Sequence, residues 1–143
     1  MKVLVTGAEG FLGATLCAEL TARGHEVTAA SLNRKGGTSL DALGVKTRIE
    51  YGDVTDMAFV DRIVSSSEAD WIFHLAAVSI VRTAQANPAL ALRTNILGTI
   101  NVLESAKRTG ARVLTASSDK AYGDHDGAEY ICLLYTSPSP RDS

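Results

Sequence analysis

The sequence is short of several things, and each shortage removes a class of function. It holds two cysteines, Cys17 and Cys132, too few for a disulfide framework or a cysteine-built metal site, and no metal is expected. No uninterrupted apolar run approaches the ~20 residues of a membrane-spanning helix, so no membrane association is expected. There is no basic block, and the formal net charge is −2, so the electrostatic footprint of a nucleic-acid partner is missing. The opening Met1-Lys2-Val3-Leu4-Val5 runs straight into a strand pattern without a signal peptide, and the expected compartment is the cytoplasm. What is present is ordinary: 143 residues, 45% hydrophobic and 21% charged, the make-up of one globular domain rather than a disordered chain.

Short apolar runs alternate with longer helical patterns. Strands are expected at Lys2–Thr6, His25–Ala30, Thr47–Tyr51, Trp71–Leu75 and Val113–Ala116. A helix is expected over Phe11–Arg23, stopped by Gly24. Residues 31–45 read as a loop with one helical turn near Leu40–Leu43. Thr55 is placed to cap a helix from Asp56 to about Ser65. A long helix is expected from about Pro88 to Arg108, with Leu92, Ile96, Ile100 and Leu103 recurring at the helical period. Such alternation predicts an α/β fold, a doubly wound parallel sheet of Rossmann type, of which this chain holds the N-terminal portion.

Gly7-Ala8-Glu9-Gly10-Phe11-Leu12-Gly13 falls between the first strand and the first helix. Gly7 permits a tight turn, Gly10 lets the backbone approach a pyrophosphate, and Gly13 lets helix lie close to strand. The free N–H groups of the helix N-terminus, at Phe11 and Leu12 onward, favour an anion. The alternative is a merely structural turn between strand and helix.

The GxxGxxG spacing is joined by Gly52-Asp53-Val54, His74-Leu75-Ala76-Ala77, Thr94-Asn95-Ile96-Leu97-Gly98-Thr99 and Ser117-Ser118-Asp119-Lys120-Ala121-Tyr122-Gly123. In this order the stretches resemble the extended short-chain dehydrogenases/reductases of the NAD-dependent epimerase/dehydratase family. The resemblance covers residues 1 to about 130. It implies that Asp53 accepts from the adenine amino group, that Val54 flanks the ring, and that Leu75, Ala76 and Ala77 pass close under the cofactor. A capping role is the other reading of Asp53. Asn95 would stand on the long helix behind the site, in a structural or a functional role. His74 reads as a packed histidine at the sheet end rather than a catalytic one. The cofactor stays open between NAD and NADP. The second strand ends in Ser31-Leu32-Asn33-Arg34-Lys35 without an acid. Asn33 suits the ribose hydroxyls of NAD, and Arg34 and Lys35 suit the 2′-phosphate of NADP, the plainer reading of that basic loop being solvated surface; Ser31 is counted with the cofactor-binding residues.

Ser118, Asp119 and Lys120 follow the fifth strand, at the end of the sheet where ligands bind. This hydroxyl–acid–amine version, with Val81-Arg82, resembles the sugar-nucleotide 4,6-dehydratases of CDP-glucose and GDP-mannose type. By that resemblance Ser118 hydrogen-bonds the sugar C4 oxygen. Asp119 protonates the leaving C6 hydroxyl, and Lys120 is the C5 base or its support. A surface ion pair is the plainer reading of Asp119 and Lys120. The implied substrate is a nucleotide sugar, and the implied full-length parent is a homodimer. Competing readings are a nucleoside-diphosphate-sugar 4-epimerase or reductase, and a non-catalytic dinucleotide-sensing protein.

Two features depart from that family. Its Tyr-x-x-x-Lys pair has no counterpart after residue 123, since neither Tyr130 nor Tyr135 is followed by lysine four residues on. The chain as it stands is therefore expected not to turn over. Residues 131–143 follow neither structural period, and Cys132 to Asp142 resemble the translation of a sequencing-library adapter. The expected organisation is a truncated Rossmann domain over 1–130 and a non-native tail over 131–143, the alternative being a natural Pro/Ser-rich tail.

Overall fold

A computed structural model describes residues 1–33 and 37–118. The proposed 131–143 tail, Asp119, Lys120, Arg34 and Lys35 lie outside the described residues. Five strands are present among those described: β1 (Lys2–Thr6), β2 (Glu26–Ser31), β3 (Arg48–Tyr51), β4 (Trp71–His74) and β5 (Arg112–Thr115). All pair in parallel, in the order β3-β2-β1-β4-β5. This is the doubly wound arrangement expected from the alternation, with the switch point between β1 and β4.

Strand β1 sits in the middle and is apolar on both faces, as a strand covered on both sides must be. Val3 and Val5 turn toward a core shared with Ala14, Cys17, Ala29 and Leu40. Leu4 turns the other way, toward Val60, Ile63, Ile72, Val102 and Ala106. Helix α1 (Phe11–Ala22) and the single turn α2 (Ser39–Ala42) cover the first face, and α3 (Met57–Ser67) and α6 (Gly98–Thr109) the second. Burial of Cys17 pushes its thiol up to about 11.

Two expectations about helices need correction, and one short helix was not anticipated. The cap of α3 is Asp56, whose carboxylate accepts from Ala58 N, and not Thr55. Thr55 N donates instead to Asp53 Oδ1 at 2.8 Å, in the turn one step earlier. Residues 81–86, read without a helix, form α4 (Val81–Ala86). The stretch from Pro88 is not one regular helix. It runs as α5 (Pro88–Leu92), a π-helical segment Arg93–Leu97, and α6.

The apolar stripe does not face the sheet. Leu92, Ile96, Ile100 and Leu103 are all exposed, and α6 buries Gly98, Asn101, Val102, Ser105 and Ala106. Small side chains on that face let the helix lie close to its neighbours. A Cβ on Gly98 would stand 2.7 Å from Val54 Cγ2, and Asn101 Nδ2 donates to Val54 O at 3.0 Å. No helix among the described residues is long and apolar enough to cross a membrane.

Candidate functional site

The carboxyl ends of β1 and β4 part company at Gly7 and Leu75, and the glycine loop fills the gap. Gly7 has a left-handed φ of +69°, and a Cβ there would lie 2.8 Å from Leu75 O and Ala76 N. Only glycine takes that conformation so close to backbone without strain. A Cβ on Gly13 would collide with the carbonyl oxygen of Gly7. Loop and helix therefore touch backbone to backbone. Ala14 N donates to Gly10 O at 2.9 Å, which starts α1, and no side chain caps the helix at Gly10. The first N–H groups of the helix, at Phe11, Leu12 and Gly13, have no partner within the helix and point from a positive dipole end. Phe11, 91% exposed, and Leu12 stand at the rim. This cradle fits a pyrophosphate: side chains are withdrawn, donors are uncapped, and the position is a switch point.

A buried polar chain ties the loop after β4 to its surroundings. Thr6 Oγ1 accepts from Leu75 N at 3.2 Å and Ala76 N at 3.3 Å. With both lone pairs used, its own proton goes to His74 Nδ1, 2.8 Å away. His74 then carries its proton on Nε2 and donates to Thr99 Oγ1 at 3.1 Å. Thr99 in turn donates to Asn95 O at 2.7 Å. Burial lowers the His74 pKa, in keeping with a neutral ring. Asn95, inside the π segment, grips Val78 twice: Oδ1 accepts from Val78 N at 2.8 Å and Nδ2 donates to Val78 O at 3.2 Å. A π segment commonly marks a site where a helix has been adjusted for function.

The other residues singled out from the sequence fall around this cleft. Leu75 and Ala76 are half-buried under Gly7, and Ala77 is exposed. Asp53, half-buried, lines a cavity of about 300 Å³ with Thr55, Asn87, Ala89, Leu90 and Arg93. Val54 is buried behind it, against Gly98. Ser31 closes β2, its carbonyl accepting from Gly52 N at 2.9 Å, and Asn33 is exposed. Ser118 stands three residues beyond β5, at the same end of the sheet. A larger cavity, about 710 Å³, opens among Met1, Glu68, Asp70, Trp71, Gly110 and Arg112. It lies at the amino ends of the strands, away from the ends that carry ligands in parallel sheets. Thr6, Thr99 and Glu9 were not singled out from the sequence. Their positions directly beside Gly7, within the Thr94–Thr99 stretch and inside the glycine loop were the available signals.

The sequence pattern of the NAD dependent epimerase/dehydratase family matches residues 3–140. The chain belongs to that family. A dTDP-glucose 4,6-dehydratase of Mycolicibacterium smegmatis is 36% identical over 128 residues, 87% of this chain and 38% of that protein. UDP-glucuronic acid decarboxylase 1 of Danio rerio is 35% identical over 126 residues, 86% of this chain and 28% of that protein. Among solved structures, the UDP-glucose 4-epimerase of Thermus thermophilus in complex with NAD superposes with a TM-score of 0.82. It is 28% identical, over 98% of this chain and 45% of that one. The chain thus spans less than half the length of each of these proteins.

Proposed function

We propose that this chain is the cofactor-binding part of a sugar-nucleotide 4,6-dehydratase that uses NAD or NADP. The observation that carries the cofactor reading is the backbone-to-backbone cradle of Gly7 and Gly13 beneath an uncapped α1, at the β1/β4 switch point. Gly7, Gly10, Phe11, Leu12 and Gly13 would hold the pyrophosphate. Asp53 and Val54 would meet the adenine, and Leu75, Ala76 and Ala77 would floor the cleft. Asn95 would act through Val78, holding the loop that follows them. Ser31, Asn33 and Arg34 would attend the ribose.

A bound nicotinamide would supply reversible hydride acceptance, the chemistry that oxidation at sugar C4 and reduction at C6 require. The chain's own residues would handle the protons at C5 and C6, while the C4 hydroxyl proton would go to the Tyr-x-x-x-Lys pair, which has no counterpart after residue 123. Ser118 would hold the C4 oxygen at the sheet's carboxyl end. The ketone there acidifies the C5 proton, which Lys120 would remove, directly or by supporting another base. Asp119 would give its proton to the departing C6 hydroxyl, which requires a protonated carboxyl. The Ser-Asp-Lys order and the likeness to dTDP-glucose 4,6-dehydratase favour this reading. The likeness to a UDP-glucose 4-epimerase favours the second reading, a 4-epimerase on the same cofactor site.

The test has two stages. Titration calorimetry of the 143-residue chain is expected to detect dinucleotide binding, with no turnover, because a Tyr-x-x-x-Lys pair is missing after residue 123. Reading the source locus across codon 131, on an adapter-free template, is expected to continue the frame into that pair. The longer protein should convert a nucleotide sugar into a product lighter by one water. A product of unchanged mass would move the assignment to the epimerase.

A further inference from the structure

The geometry points to Glu9 as the residue that selects the adenosine ribose, admitting a 2′-hydroxyl and rejecting a 2′-phosphate. The inference rests on the cleft being a dinucleotide site. In doubly wound folds the acid that meets the ribose hydroxyls ordinarily stands at the end of the second strand. Here β2 ends in Ser31, followed by Leu32 and Asn33, and no carboxylate stands at that end.

The fold brings one in from a different segment. Ala8 N donates to Ala30 O at 3.1 Å, which docks the glycine loop on the last residues of β2. Tyr51 is the register partner of Ser31 on β3. The Tyr51 hydroxyl reaches back over that end and donates to Glu9 Oε1 at 3.2 Å. Glu9 is therefore held above the carboxyl end of β2 by contacts from both sides, 42 residues from its tyrosine partner. A carboxylate accepts on both oxygens, and Tyr51 uses one of them. The remaining acceptor capacity suits a ribose hydroxyl donor. A phosphate at the 2′-position would meet a like charge fixed in place by Tyr51, a juxtaposition that costs binding strongly. This favours NAD over NADP.

Dissociation constants of the 143-residue chain for NAD and for NADP, measured separately by calorimetry, test the assignment. The wild-type chain is expected to prefer NAD by at least about ten-fold. Glu9→Gln keeps the shape and removes the charge, and it should reduce that preference by about ten-fold, mainly through tighter NADP binding. Tyr51→Phe frees the carboxylate and should reduce the preference by a smaller factor. It also supplies the measurement if the glutamine variant does not fold. A wild-type chain that binds NADP as tightly as NAD, or a preference unmoved in both variants, overturns the role of Glu9 alone. A wild-type chain that binds neither dinucleotide overturns the cofactor reading itself.

Discussion

Thr6 and His74 are register partners across β1 and β4, and their side chains meet at 2.8 Å between Oγ1 and Nδ1. The contact spans the switch point of the sheet and is buried. Its protons run in one direction only, from Leu75 and Ala76 into Thr6, from Thr6 to His74, from His74 to Thr99 and on to Asn95 O. A second proton on His74 would leave Nδ1 and the Thr6 hydroxyl both as donors.

This gives the folded chain a pH dependence with a definite sign. Burial lowers the His74 pKa below its ordinary value of 6.5, so the unfolded chain binds the proton more readily. Stability should be undiminished above that value and fall as the pH drops through it toward the folded-state pKa. Urea unfolding midpoints between about pH 7.5 and pH 5.5 are expected to decline in the wild-type chain. His74→Gln should start about 1–3 kcal/mol lower, from the disturbed buried hydrogen bonds, and show a flatter profile over that range. Equal slopes for the two proteins would remove His74 from the explanation.

Two glycines should fail in different ways. Gly13→Ala pushes a methyl group into the Gly7 carbonyl, with Ala8 Cα 2.9 Å away, and neither atom belongs to a movable side chain. We expect a stability loss of about 1–3 kcal/mol and a large loss of dinucleotide affinity. Gly24→Ala has open space around it but a φ of +77°, so it should cost about 1–2 kcal/mol and leave affinity unchanged. Thermal melts paired with calorimetric titration separate the two cases.

Asn95→Ala removes both hydrogen bonds to Val78 and should cost about 1–2 kcal/mol. The sharper readout is local. Amide hydrogen exchange at Val78 should accelerate well beyond the change at Val5 in the sheet centre. Asn95→Asp keeps an acceptor for Val78 N but sets a carboxylate against Val78 O, and should fall between the two.

The strands were legible because short β-branched or alternating runs stand between turn residues; β1 matched its expected bounds of Lys2–Thr6, and the other four fell within one residue of theirs. Helix faces were harder to read. The period of Leu92, Ile96, Ile100 and Leu103 announces a helix, yet the face that packs is chosen by the small residues Gly98, Ser105 and Ala106, which permit close approach. The cap of α3 slipped by one position because Thr55 and Asp56 are both capable caps, and backbone geometry at Asp56 decided between them. In the site, the glycine loop was legible since its chemistry is local in sequence. The Tyr51–Glu9 and Thr6–His74 contacts join residues 42 and 68 apart, and no short-range pattern encodes such pairs.

The central position of β1 has a consequence for how the chain assembles. Its pairing with β2 closes a span of about 24 residues, from Lys2 to Glu26, and can form early during synthesis. Its pairing with β4 must wait until Trp71 to His74 have been made, because Val3 meets Trp71 and Thr6 meets His74. The cleft exists only between those two strands, so the last long-range pairing of the central strand is also the one that creates it. A nascent chain that captures a dinucleotide has, by that act, reported the joining of its two half-sheets.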